Sequence, residues 1–185
     1  MGVMIEVPGA ALAADAFAQS SDFFAIGSND LTMYTLAIDR GNEHVAHLFN
    51  PLHPGLLRLL QFTADAALRA RIPIAICGEM AGDPRYTALL LGLGIRELSM
   101  TPSNIPLVKQ RIREMDLAGA NHRTEVIMDQ VDSGRIAMLL DDFNVKIMGY
   151  LRCAKEAFPL MEQKGWGRIV NIDGMAARSA AGVSG

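Results

Sequence analysis

Apolar positions along this chain fall into two rhythms. Four short, nearly unbroken apolar runs (GVMIEV at 2–7, DFFAIG at 22–27, IPIAIC at 72–77 and IRELSM at 95–100) suit buried parallel strands, which lack polar alternation. Longer stretches between them repeat at helical spacing. Over 55–70, Leu56, Leu57, Leu60, Ala64, Ala67 and Leu68 share one face, while Arg58, Asp65 and Arg69 lie elsewhere. The Ala-rich segment 9–19 predicts another helix, and residues 31–39 a helix or structured loop. Asp83-Pro84 is a helix-start signal that opens a helix over 84–93. Pro102 to Pro106 turns the chain into a further helix at 106–115. Val45 to Pro54 carries two prolines and two histidines and predicts irregular backbone.

Four repeats of strand, polar loop and helix imply an α/β fold with a parallel sheet and right-handed crossovers. A complete (β/α)8, or TIM-type, barrel needs about 250 residues. Only residues 2–117 carry the pattern here, so the expectation is a partial barrel of four βα units with two uncovered sheet edges. The character changes beyond Ala118. Residues 119–143 are a polar start followed by amphipathic stretches broken at Asp132-Ser-Gly134, and 144–185 form a separate helix-strand appendage. In that appendage the expected elements are a helix over 147–163, kinked or interrupted by Pro159, a turn at Lys164–Gly167, a strand over 168–172 and a frayed end.

Composition narrows the function classes. Half of the 185 residues are hydrophobic and a fifth are charged, the balance of a globular chain. A net charge of −3 gives no reason to expect nucleic-acid or anionic-membrane binding. Two distant cysteines, Cys77 and Cys153, make no disulfide framework, so a reducing cytoplasm is expected. No apolar run approaches the roughly 20 residues needed to span a bilayer. The start has no basic leader and runs directly into a strand, as if begun in mid-fold.

Candidate chemistry gathers at the ends of the apolar runs, where α/β barrels carry their active sites. Glu6 and Asp30 both leave strand ends. Two carboxylates with few other ligands suit Mg²⁺, which is commonly held by one or two carboxylates plus substrate phosphate and water. Arg40, ten residues after Asp30, could return to a phosphate or carboxylate as a bidentate partner, and Asn29 adds neutral hydrogen bonds. Helix caps and a surface charge would account for the same residues. Cys77, at a strand exit before Gly78, is placed either as a reactive thiol or as a small apolar residue. Glu79 could tune it or cap the following turn. The four histidines lack metal-ligand spacing, and the eleven methionines read as core filler.

Five segments taken in order, GVMIEVP, IGSNDLTMYTLAIDRGNE, NPLHPGLL, CGEMAGDP and LLLGLGIRELSMTPSNIP, closely resemble the phosphoenolpyruvate–protein phosphotransferase family. This is enzyme I of the bacterial sugar, or nitrogen-related, phosphotransferase system. The likeness runs from Gly2 to about Leu117 and extends to Phe143 as that family's tail. Pyruvate phosphate dikinase and phosphoenolpyruvate synthase share the carboxylate and cysteine motifs, but the YTLAIDRGNE and NPLHP segments look more like enzyme I. The resemblance implies the C-terminal half of a barrel binding phosphoenolpyruvate and Mg²⁺ in a cytoplasmic homodimer. By the same resemblance Glu6 and Asp30 are metal ligands, and Asn29, Asp30 and Arg40 contact substrate. Cys77 is the acid that protonates the enolpyruvate carbon as the phosphoryl group leaves. Met33 departs from the family's usual Gln. The family's further substrate arginines and its phospho-accepting histidine domain, through which a phosphocarrier protein is reached, have no counterpart in this sequence. The expectation is therefore a part inactive alone, or a non-catalytic module that completes a barrel.

The segment IMGYLRCAKEAFPLMEQKGWGRIVNIDGMAARSA resembles the middle of a short-chain dehydrogenase, its central helix and the strand leading to the catalytic serine. Where many members end that strand in Asn-Ile-Ser-Ser or Asn-Ile-Ser-Gly, this chain has Asn171-Ile172-Asp173-Gly174. The glycine-rich nucleotide loop and the later Tyr and Lys have no match either. No dehydrogenase activity is expected.

Overall fold

A computed structural model of the chain describes residues 1–144, 148–166 and 168. The chain divides into two units, Met1–Asn144 and Val145–Gly185.

In the first unit four parallel strands form one sheet in sequential order: β1 (Gly2–Ile5), β2 (Phe23–Gly27), β3 (Ile74–Cys77) and β4 (Glu97–Leu98). The register pairs Ile5 with Ile26, Ile26 with Ile76, and Ile76 with Leu98. Side chains alternate across a strand, so this row and its neighbour Val3–Phe24–Ile74 share one face. Ile5, Phe24, Ile26 and Ile76 are fully buried there. The other face carries Met4, Ala25, Ala75 and Glu97 in one row. Met4 and Glu97 are exposed and both alanines only partly covered. Strands β1 and β4 are the sheet edges.

Helices cover the buried face. The longest in this unit is α4 (Pro54–Ala70), which packs against β2 and against α1 (Pro8–Leu12), α2 (Ala14–Ala18) and α3 (Ser28–Leu36). Its start is fixed by Pro54 at the first position and by His53, whose Nδ1 accepts from the Gly55 N–H at 3.1 Å. Its end is fixed by Arg71 in the left-handed conformation (φ 59°). Leu56, Leu57, Leu60, Ala64 and Ala67 form the buried stripe, but Leu68, expected on the same face, is 54% exposed near the helix end. Burial of each leucine contributes about 1.5–3 kcal/mol.

Several expected boundaries shift. The Ala-rich segment 9–19 is two short helices, α1 and α2, broken at Ala13 (φ −95°, ψ 12°). The helix expected from residue 31 starts three residues earlier: Ser28-Asn29-Asp30 is the first turn of α3, where the Thr32 hydroxyl donates to the Ser28 carbonyl at 2.6 Å. The glycine loop after Cys77 contains a helical turn, α5 (Glu79–Gly82), followed by α6 (Thr87–Gly92). The irregular 45–54 segment includes a 3-10 turn at Ala46–Leu48. The methionines are not uniformly core filler: Met80 is buried, whereas Met4 and Met138 are about half exposed.

Beyond β4 the first unit continues as α7 (Ile105–Arg113), α8 (Leu117–Met128) and α9 (Ser133–Asp142). Asp116 caps α8, accepting from Gly119 N–H at 2.7 Å, and Asp132 caps α9, accepting from Arg135 N–H at 2.8 Å. Helix α8 packs on α6. Gly92 permits this, because a β-carbon there would lie 2.0 Å from Thr124 Oγ1 and 2.9 Å from the Ala120 carbonyl. The end of α9 is bolted down. The Phe143 ring lies beneath the Arg111 and Arg123 guanidiniums at 5.6 and 5.5 Å. Asn144 accepts from Arg111 Nη2 at 2.5 Å and donates to the Arg85 carbonyl at 3.2 Å.

In the second unit α10 (Met148–Lys164) continues through Pro159, so the expected helix is present and the proline does not end it. Gly165 follows with φ 64°. The strand expected over 168–172 falls, apart from Arg168, outside the described residues.

Candidate functional site

The open face of the sheet gathers the proposed chemistry at its C-terminal rim. Glu6 follows β1 directly, and its Oε2 lies where a Gly27 side chain would begin, 2.7 Å from that ideal β-carbon. Gly27 pairs with Cys77 on β3. Glu6, Gly27 and Cys77 therefore run across three adjacent strand ends on one face. The Cys77 thiol is partly buried and donates to the Ile26 carbonyl at 3.4 Å. Asn29 and Asp30 sit in the first turn of α3, immediately beyond Gly27.

Gly78 holds the β2 and β3 exits together. Its φ of +98° and ψ of −170° belong to glycine. A side chain there would meet Ser28 Oγ at 2.5 Å and Asn29 Oδ1 at 3.1 Å. Across this gap the Ser28 hydroxyl donates to the Cys77 carbonyl at 2.7 Å, and the Glu79 N–H donates to Asn29 Oδ1 at 3.2 Å.

Glu6 and Asp30 are not hydrogen-bonded helix caps. The caps of α1 and α3 are Val7 and Gly27, and neither end has a side-chain cap bond. Among the described residues neither carboxylate accepts a hydrogen bond or forms an ion pair, although both are partly buried. Two such carboxylates fit a hard cation, because their charge is costly to bury uncompensated. Among the described residues no cluster of three or more His, Cys, Asp or Glu side chains could hold a metal alone. A cation here would take its remaining ligands from substrate and water.

Arg40 lies on the loop after α3. Its Nη2 pairs with Glu79 Oε1, and its guanidinium stacks over the Phe49 ring at 4.7 Å. Glu79 thus turns neither to Cys77 nor to a cap. Phe49, Asn29 and Glu79 also line a cavity of about 110 Å³ that continues to Asp83, Arg85 and Tyr86. In the sequence Phe49 has no signal beyond being an aromatic residue beside the NPLHP segment. Burial raises the Asp83 carboxyl, but its hydrogen bonds from the Arg85 side chain and backbone outweigh this and hold it below the ordinary value. Burial pushes the Tyr86 hydroxyl up.

Residues 1–117 match the family model of the PEP-utilising enzymes' PEP-binding domain. The chain belongs to the PEP-utilising enzymes. Among curated relatives, the phosphoenolpyruvate-protein phosphotransferase of Cupriavidus necator is 52% identical over 131 residues, covering 71% of this chain and 22% of that protein. The corresponding protein of Haemophilus influenzae is 43% identical over 143 residues, 77% of this chain and 25% of its own length. A multiphosphoryl transfer protein of Xanthomonas campestris is 49% identical over 125 residues, 68% of this chain and 15% of its own. The chain thus spans a quarter or less of the length of these relatives. No helix among its described residues is long and apolar enough to cross a membrane.

Proposed function

We propose that residues 1–144 are the phosphoenolpyruvate- and Mg²⁺-binding part of a phosphotransferase that passes the phosphoryl group of phosphoenolpyruvate to a protein histidine and releases pyruvate. In this reading the sheet is part of a TIM-type barrel. The histidine is supplied by a domain outside this sequence and hands the group to a phosphocarrier protein in the cytoplasm. The observation that carries the reading is the pair of unpartnered carboxylates, Glu6 and Asp30, on the rim that also bears Cys77.

Glu6 and Asp30 would hold Mg²⁺, which when bound would supply charge neutralisation for the transferring phosphoryl group. Asn29 and Arg40 bind and orient the anionic ends of the substrate. As the P–O bond breaks and a P–N bond forms on the histidine, which releases its ring proton to water, the P–O bonding pair stays on the bridging oxygen and leaves the enolate of pyruvate. Cys77 gives its proton to the terminal carbon of that enolate, forming pyruvate, and the thiolate regains a proton from water. Rate acceleration in such a step is almost wholly positioning and electrostatics, which suits a rim built from fixed strand ends.

The test is calorimetric titration of phosphoenolpyruvate into the chain with and without Mg²⁺. The expected outcome is Mg²⁺-dependent binding, about millimolar or tighter, abolished by Asp30→Ala or Glu6→Ala and retained in Cys77→Ala. Absence of binding in the unsubstituted chain overturns the reading.

A further inference from the structure

Resting on the function proposed above, we infer that Glu79 is a positioning residue. It ties Arg40 and Asn29, two of the proposed substrate-contacting side chains, to one point of the loop after β3 before any ligand arrives. The Glu79 carboxylate holds Arg40 Nη2, while the Glu79 backbone N–H holds Asn29 Oδ1 at 3.2 Å. These partners lie 39 and 50 residues away in sequence. A single residue therefore joins three segments: the loop after α3, the first turn of α3 and the β3 exit.

Each bond has a consequence for an anion. An asparagine whose oxygen is engaged by a backbone N–H keeps its amide N–H groups for something else, which makes Asn29 a donor toward the site. A guanidinium has five donors in a planar fork. One nitrogen on Glu79, with the plane stacked on Phe49, fixes the orientation of the remaining donors. Arg40 sits on irregular backbone and would otherwise sample many rotamers. Ordering it in the free protein removes that cost from binding. The Arg40 and Glu79 side chains are 36% and 66% exposed, so the pair adds little to folding. Its effect falls on binding instead.

The experiment uses Glu79→Gln, which keeps the shape and the backbone N–H but removes the charge. Two readouts are taken on the full chain. The first is the ¹⁵N spectrum of the Arg40 guanidinium without ligand. Resolved, slowly exchanging Nη signals are expected in the unsubstituted protein and averaged signals in Glu79→Gln, with an unchanged melting temperature. The second is phosphoenolpyruvate binding with Mg²⁺ across the cycle Glu79→Gln, Arg40→Lys and both together. Glu79→Gln is expected to weaken binding about three- to tenfold, as for coupled neighbours, and to add nothing once Arg40 is lysine. An unchanged Arg40 spectrum in Glu79→Gln, or full additivity in the cycle, overturns the inference. If the unsubstituted chain binds no phosphoenolpyruvate, the function proposed above fails, and the ligand-free spectrum still decides whether Glu79 orders Arg40.

Discussion

The two faces of the sheet use the same four strands for different purposes. On the covered face, Ile5, Phe24, Ile26, Ile74 and Ile76 are at most 5% exposed, and α4 packs on β2. On the open face, Met4 is 49% and Phe23 47% exposed, and the middle positions are alanines. The first face is close-packed and apolar, so it carries stability. The second is shallow, with small side chains below and Glu6, Gly27 and Cys77 at its rim. Of the candidate site residues, Glu6 and Cys77 lie on the side that the described residues leave uncovered.

Truncations one residue apart sharpen this contrast most strongly. Ile5→Ala should cost about 2–5 kcal/mol in denaturant unfolding, whereas the adjacent Met4→Ala should cost less than about 1 kcal/mol. Comparable losses from both would mean that the open face is packed in solution. At the rim, Gly78→Ala should destabilise by about 1–3 kcal/mol, because the backbone angle excludes a side chain. It should also weaken phosphoenolpyruvate binding by separating Ser28 and Asn29 from the β3 exit; stability loss without a binding defect would uncouple the two. A cap far from both faces gives a control: Asp132→Ala should cost about 1 kcal/mol in thermal melts and leave binding alone.

The smallest effect is expected at Asp83. Its folded-state value is depressed, so its stabilisation is present above the ordinary aspartate value, 3.8, and is lost as pH falls through the lower folded value. Asp83→Asn should therefore flatten the acid limb of stability below about pH 4. The unsubstituted chain and the variant should converge in strong acid. Unfolding midpoints measured from pH 2 to 6 check this, and a difference that grows toward low pH would contradict the sign.

Much of the covered face was legible in the sequence because burial leaves a periodic trace. The stripe of Leu56, Leu57, Leu60, Ala64 and Ala67 and the apolar runs of β1 to β3 follow from spacing alone. The rim was legible only as residue types near strand ends. Nothing local indicates that Glu79 turns to Arg40, that Phe49 lies under the guanidinium, or that Ser28 bonds the Cys77 carbonyl. The first and last of these join segments 39 and 49 residues apart, and they depend on where the crossovers land; Phe49 is only nine residues from Arg40, but irregular backbone lies between them. The break at Ala13 escaped for the opposite reason: alanine favours helix so uniformly that composition carries no stop signal there.

The clamp formed by Phe143 and Asn144 sets where this unit can be cut. A fragment trimmed at residue 117, where the PEP-binding domain match stops, would lose α8 and α9 together with the ring under two guanidiniums and the amide bridging Arg111 to Arg85. It would uncover the α6 surface beside Gly92 and loosen the backbone at Arg85, which borders the cavity shared with Glu79. Excision after Asn144 preserves all of these supports.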